Sequence, residues 1–211
     1  MQKINFNDRY GLTQAVIEGR KTMTRRLINL NSTSDVQVRI FAGYVQIIGR
    51  SGNVCAEKKL PYKVGDVVAV AQRYEDVEEL SYLLRDPFSE TYFEEINIGD
   101  EPGYRNKLFV RAELMPHRIR ITGIKCERLQ DISDADCMKE GVSGGYIGFF
   151  VPGIKCKDWE KESHVETEDG NVWKLFPTPR RAFASLIDKV SGRGTWGLNP
   201  LVVVYEFELV K

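Results

Sequence analysis

HRIRITGIKCERLQDISDADCMKEGV, residues 117–142, changes its period halfway along. The first half is extended in character, and Arg118 and Arg120 stand two apart, so both point to one side of a strand. The spacing predicts a strand over 117–129 with the two arginines on a solvated face. Ser133 then reads as the cap of a short helix, DADCMKE, closed by Gly141, with Cys137 turned into the core. A strand that feeds a capped helix points to a mixed α+β class.

The flanking chain repeats these signals. VQVRIFAGYVQIIG (36–49) predicts a hairpin about Ala42-Gly43. PYKVGDVVAV (61–70) predicts a turn at Gly65-Asp66, then a strand from Val67 that is apolar on both faces and therefore buried. KLFVRA (107–112) and LVVVYEFELV (201–210) read as further strands. Leu12, Ala15, Val16 and Gly19 keep helical spacing, which predicts a helix over 8–18 with Asn7 or Asp8 at its start. Thr178-Pro179 opens a second helix over 179–190, with Ala182, Phe183, Leu186, Ile187 and Val190 on one face. Residues 141–177 are rich in glycine and mixed charge and read as a long insertion loop. Five to seven strands with few helices predict a small mixed barrel with helices packed outside.

The bulk numbers narrow the function classes. The 211 residues fit one domain, 1–211, with insertions near 76–105 and 141–177. Thirty Lys and Arg balance thirty Asp and Glu, so a polyanion site has to come from clustering rather than total charge. Basic clusters lie at 20–26 and 117–125, acidic ones at 85–101 and 131–140. The four cysteines form no C-x-x-C pair and the histidines number two, so no metal site and no cofactor are expected. Reduced thiols and a cytoplasmic location are expected. No run approaches the ~20 apolar residues of a membrane span.

GRKTMTRRL (19–27) holds four cations, Arg20, Lys21, Arg25 and Arg26, beside the hydroxyls of Thr22 and Thr24. Cations are favoured at a helix C-terminus, which accounts for Arg20 and Lys21 without any ligand. The alternative is a cradle for an anion.

Four blocks, in order, resemble the ASCH domain family, a relative of the PUA-like barrels. They are GLTQAVIEGRKTMTRRL (11–27), YKVGDVVAV (62–70), LMPHRIRITGIKCERLQDISDADCMKEGV (114–142), and FASLID with TWGLNPLVVVYEF (183–207). They span about half the chain, and their layout is similar to that of phage- or prophage-associated members. The resemblance implies a small, mostly antiparallel PUA-like β-barrel with a few flanking helices. It implies a cleft that binds RNA, a nucleotide or a modified nucleoside. Some small members resemble amidohydrolases acting on N4-acylated cytidine, and another is proposed to be a ribonuclease. In the amidohydrolase-like members the lysine and threonine of the first block act with a glutamate on the strand after "GD".

Lys21 and Thr24 match those two positions, but the glutamate position falls on Gln72, with Glu75 three residues on. An amide cannot take a proton from water near neutral pH, and losing a general base commonly costs ~100- to 10,000-fold in rate. An enzyme of this chain would use Lys21, Thr24 and Glu75, the last only if a bulge turns it inward. A binding role survives the change, because Gln72 both donates and accepts. The expected binding set is Lys21, Thr24, Arg25, Arg26, Asp66, Gln72, Tyr74, Arg118, Trp196 and Asn199, with the arginines on phosphate and Tyr74, Trp196 and Tyr146 available for stacking. Several of these have plainer readings: Asp66 as a turn residue, Trp196 with Asn199-Pro200 as an anchor for the last strand, His117 as a surface residue, Met115-Pro116 as a turn. A third alternative is a protein-interaction module, in which the acidic segment 85–101, with Phe88, Tyr92 and Phe93, docks a basic partner.

Overall fold

The computed structural model describes residues 1–28, 37–41, 43–77 and 102–210. The acidic segment 85–101 and most of the expected insertion at 76–105 lie outside the described residues, as does Ala42 of the expected turn.

In chain order the elements are β1 (Lys3–Ile4), α1 (Leu12–Ile17), β2 (Met23–Leu27), β3 (Gln37–Phe41), β4 (Tyr44–Ile48), β5 (Val54–Lys59) and β6 (Val67–Val70). They continue with β7 (Arg118–Arg128), α2 (Asp134–Lys139), β8 (Ser143–Gly144), β9 (Phe149–Phe150), β10 (His164–Glu166) and β11 (Val172–Lys174). The chain ends with α3 (Pro179–Val190), α4 (Thr195–Leu198) and β12 (Leu201–Val210). The class is α+β.

β7 and β12 organise the molecule. They pair antiparallel from Leu201 opposite Arg128 to Val210 opposite Arg118, with a bulge between Glu206 and Phe207. β2 flanks β12, β6 flanks β7, and β1 joins β6 in parallel, giving the order β1-β6-β7-β12-β2. Ile119 and Ile121 are fully buried, while Arg118 and Arg120 face out and Arg120 pairs with Glu208 at 3.3 Å. That is the alternation a half-buried antiparallel strand requires. The two edges of this sheet approach one another: Arg26 of β2 donates through Nη2 to the carbonyl of Asn5, just past β1, at 2.6 Å.

α2 and α3 cover the inner face. Ser133 Oγ accepts from the Asp136 amide and Thr178 Oγ1 from the Arg181 amide, both as expected of N-caps. Ala182, Phe183, Leu186 and Ile187 of α3 pack into the main core with Cys137, Leu129, Val202 and Val204, whereas Val190 is exposed. Each large side chain buried there contributes about 1.5–3 kcal/mol.

Four expectations are corrected. The helix over 8–18 breaks at Gly11, whose φ of 61° separates a 3-10 turn (Asp8–Tyr10) from α1. KLFVRA is not a strand: Lys3 Nζ takes the carbonyls of Leu108 and Val110 at 2.7 and 2.6 Å, and a 3-10 turn follows at Ala112–Leu114. The 36–49 hairpin is present, with Phe41 opposite Tyr44, but it gains a third strand, β5. Residues 141–177 hold two small antiparallel pairs, β8-β9 and β10-β11, rather than bare loop.

Candidate functional site

The basic nonapeptide divides between the inside and the outside of the molecule. After α1 the Lys21 amide bonds back to the Ala15 carbonyl at 2.8 Å, and β2 begins two residues later. Lys21, Met23 and Arg25 then turn into the molecule, and Arg26 turns out.

Lys21 is 2% exposed and Arg25 is 6% exposed. Lys21 Nζ donates to the Met23 carbonyl at 2.7 Å, the Glu140 carbonyl at 2.8 Å and Glu140 Oε2 at 2.7 Å, which uses all three of its hydrogens. Arg25 Nη1 donates to Glu140 Oε1 at 3.0 Å, and Nε and Nη2 donate to Glu127 Oε1 at 3.0 and 2.6 Å. Asp136 stands 3.5 Å from Nη2, and Lys125 caps Glu127 at 2.9 Å. Burial pushes the Lys21 ammonium below the usual lysine range, against the pull of Glu140. Burial also works against the Arg25 charge, but Glu140 and Glu127 more than offset it and raise its pKa. Two buried cations face three carboxylates, so this is a compensated ionic core, and neither Lys21 nor Arg25 presents its charge to solvent. An anion cradle made of these two is not what the fold builds.

Glu140 escaped the sequence reading, although a signal was present. It is the C-cap of α2, where a carboxylate opposes the helix dipole. An acid in that position calls for a cation, and Lys21 and Arg25 supply two.

The remaining expected residues separate into groups. Thr24 is buried on β2 opposite Tyr205. Glu75 turns outward to Arg73 at 2.6 Å, so no bulge carries it to Lys21. Tyr74 is buried and its hydroxyl accepts the Arg111 amide at 2.9 Å, which removes it from stacking. Asp66 Oδ2 accepts the Lys63 amide at 2.8 Å, the turn role. Arg118 is exposed on β7. Trp196 is an anchor: its amide donates to Asp188 at 2.8 Å, its ring meets Phe183 edge-on, and Arg180 lies 5.3 Å over it. Asn199, at φ 45°, accepts the Gln130 amide through Oδ1 at 2.8 Å. Tyr146 is fully exposed.

Two contacts lie at the ends of the parallel pair β1 and β6. Asn5 lies one residue past β1, and Gln72 two past β6; the Ala71 amide bonds to the Ile4 carbonyl at 3.0 Å, which holds the two ends side by side. Gln72 is 8% exposed, and its Oε1 lies 2.8 Å from His117 Nδ1. Oε1 can only accept, so His117 donates through Nδ1. His117 is thereby a positioned residue rather than a loose surface one. Arg26, exposed, reaches the Asn5 carbonyl and lies 5.9 Å over the Phe6 ring. Asn5 Oδ1 is buried and has no hydrogen-bond partner among the described residues. Such an atom is rare in a folded chain and marks a place where a donor fits.

Among the described residues no group of three or more His, Cys, Asp or Glu could hold a metal ion, and no helix is long and apolar enough to cross a membrane. Comparison with family models, with curated proteins and with solved structures returned no match.

Proposed function

We propose that the chain is an RNA- or nucleotide-binding protein of the ASCH type, of phage or prophage kind, acting in the cytoplasm. The observations that carry this reading are the unpartnered Asn5 Oδ1, on the residue whose carbonyl Arg26 holds, and the Gln72–His117 pair at the end of the neighbouring strand. Asn5 offers an acceptor, Gln72 an amide N–H pair, and Arg26 a charge, a mixture that suits a base edge with a phosphate nearby. The Arg26–Asn5 bond draws the two edges of the main sheet together, which supports the PUA-like barrel reading. Four free thiols suit a reducing compartment. The test is titration calorimetry with mononucleotides and modified nucleosides. Binding by the native chain, weakened at least tenfold in Arg26→Ala and in Gln72→Leu, bears the reading out; equal affinity in all three rejects it.

A second reading, deacylation of N4-acylated cytidine, draws on the Lys21–Glu140 pair, which a substrate would have to open to reach. The carboxylate absent at Gln72 is supplied to Lys21 from α2 instead. Turnover of N4-acetylcytidine by the native chain, lost in a Glu140→Gln protein that circular dichroism shows to be folded, would support it.

A further inference from the structure

We infer that the chain carries a second, separate binding surface: a basic cleft that holds the phosphate backbone of single-stranded RNA. The inference rests on the nucleic-acid reading above but uses none of the residues at Asn5 and Gln72.

The cleft has a volume of about 630 Å³ and lies between the N-terminal 3-10 turn, the segment 153–157, β11 and α3. Lys155 and Lys157 both line it from the segment 153–157. Arg9 lines it from the N-terminal turn, Lys174 from β11, and Lys189 from the last turn of α3. The sole carboxylate in the lining, Glu162, is already committed. It bonds to the Lys157 amide at 2.9 Å and to the Lys174 ammonium, and these contacts hold its pKa down at about 2. Arg9, Lys155, Lys157 and Lys189 have no ion-pair partner among the described residues, and all four are exposed. In a chain of zero net charge this is a concentrated positive surface.

The cleft is built rather than incidental. Gly153 sits at φ +81°, and a Cβ there would stand 2.0 Å from the Arg9 carbonyl oxygen. Only glycine lets the insertion lie flat on the N-terminal turn that carries Arg9. The Lys174 amide bonds to the Ile154 carbonyl at 2.9 Å, which fixes Lys155 beside Trp173. The cations come from four separate segments and do not converge on one point. That distribution suits successive phosphates on a chain better than a single phosphate group. The half-buried Trp173 supplies apolar surface between them, the companion that single-stranded nucleic acid binders use.

The experiment is fluorescence anisotropy with a labelled 12-nucleotide oligouridylate, titrated at several salt concentrations. Native chain is compared with the triple variant Lys155→Gln/Lys157→Gln/Lys189→Gln and with Arg26→Ala. The three lysines are exposed, so the triple variant retains the fold, checked by circular dichroism. The expected result is at least a tenfold loss of affinity in the triple variant, with the salt slope reduced by about 2, as the loss of three phosphate contacts on a single strand implies. Mononucleotide affinity should stay unchanged in that variant. Oligonucleotide binding that is lost in Arg26→Ala and untouched in the triple variant overturns this inference and leaves the nucleotide-binding reading standing. Mononucleotide binding without oligonucleotide binding does the same. Binding to phosphatidylserine vesicles but to no oligonucleotide also overturns it, and silence toward every nucleic-acid probe removes both.

Discussion

Lys21 Nζ lies 2.7 Å from Glu140 Oε2 across 119 residues of chain, and both side chains are buried. The contact ties the turn after α1 to the end of α2. Arg25 shares the same carboxylate through its other oxygen, so Glu140 compensates two cations at once. Removing it leaves both short of charge in a desolvated place. We expect Glu140→Ala to lose about 3–5 kcal/mol of stability, the usual cost of stranding a buried charge. Lys21→Met combined with Glu140→Gln should cost about 1–3 kcal/mol less than the two single changes summed. Urea denaturation of the four proteins closes the cycle, and additive costs would show that the pair is not coupled.

The thiols should separate by reactivity. Burial, with Asp134 adding to it, pushes the Cys137 thiol up to about 12, and burial beside Glu127 pushes Cys126 up to about 11. Cys55 is exposed. With a disulfide reagent at pH 8, Cys55 should react promptly in the native chain, while Cys126 and Cys137 react only on unfolding. The linkage has a definite sign. An acid whose pKa is raised by folding contributes stability that is whole below its ordinary value near 9 and is lost as pH climbs toward 11 or 12. Melting temperature should therefore fall through that window, and less steeply in Cys137→Ala.

Tyr74→Phe separates a core role from a stacking role. The hydroxyl accepts the Arg111 amide, and the ring packs in a small apolar cluster apart from the main core, with Ala69, Val110 and Met115. Its removal should cost about 1 kcal/mol, the net worth of a buried hydrogen bond, and leave RNA affinity unchanged. A loss of RNA binding with stability intact would instead return Tyr74 to the ligand surface.

Much of the fold could be read from the sequence wherever one face of an element is buried. β7, α2 and α3 declare themselves through period and caps, because water and core impose opposite demands on their two faces, and β12 through a run of β-branched residues buried on both sides. KLFVRA misleads because its apolar run is not matched by burial: Leu108 and Phe109 stay exposed, and a lysine from β1, rather than a neighbouring strand, donates to its carbonyls. β5 was missed for the converse reason. Its residues are mostly exposed and charged, and its recorded ladder is with β4 alone. At the candidate site, Lys21 and Gln72 were visible as residue types, but their partners were not. Glu140 and His117 reach them over 119 and 45 residues, and no local period encodes such contacts.

The contact between Arg26 and the sheet edge gives a spectroscopic prediction. Tyr62 donates to the Lys3 carbonyl at 2.9 Å and packs edge-on against Tyr205 at 5.5 Å. Burial raises the Tyr62 phenol above its ordinary value near 10, and the nearby Arg26 charge opposes that rise. Arg26→Ala removes the opposition, so the Tyr62 phenolate should form at still higher pH. A raised phenol pKa stabilises the fold below pH 10 and loses that contribution above it. Ultraviolet titration near 295 nm should then show a tyrosine that ionises later in Arg26→Ala than in the native chain, with Tyr62→Phe removing that step. An unshifted titration would place the Arg26 guanidinium away from Tyr62 and from β1.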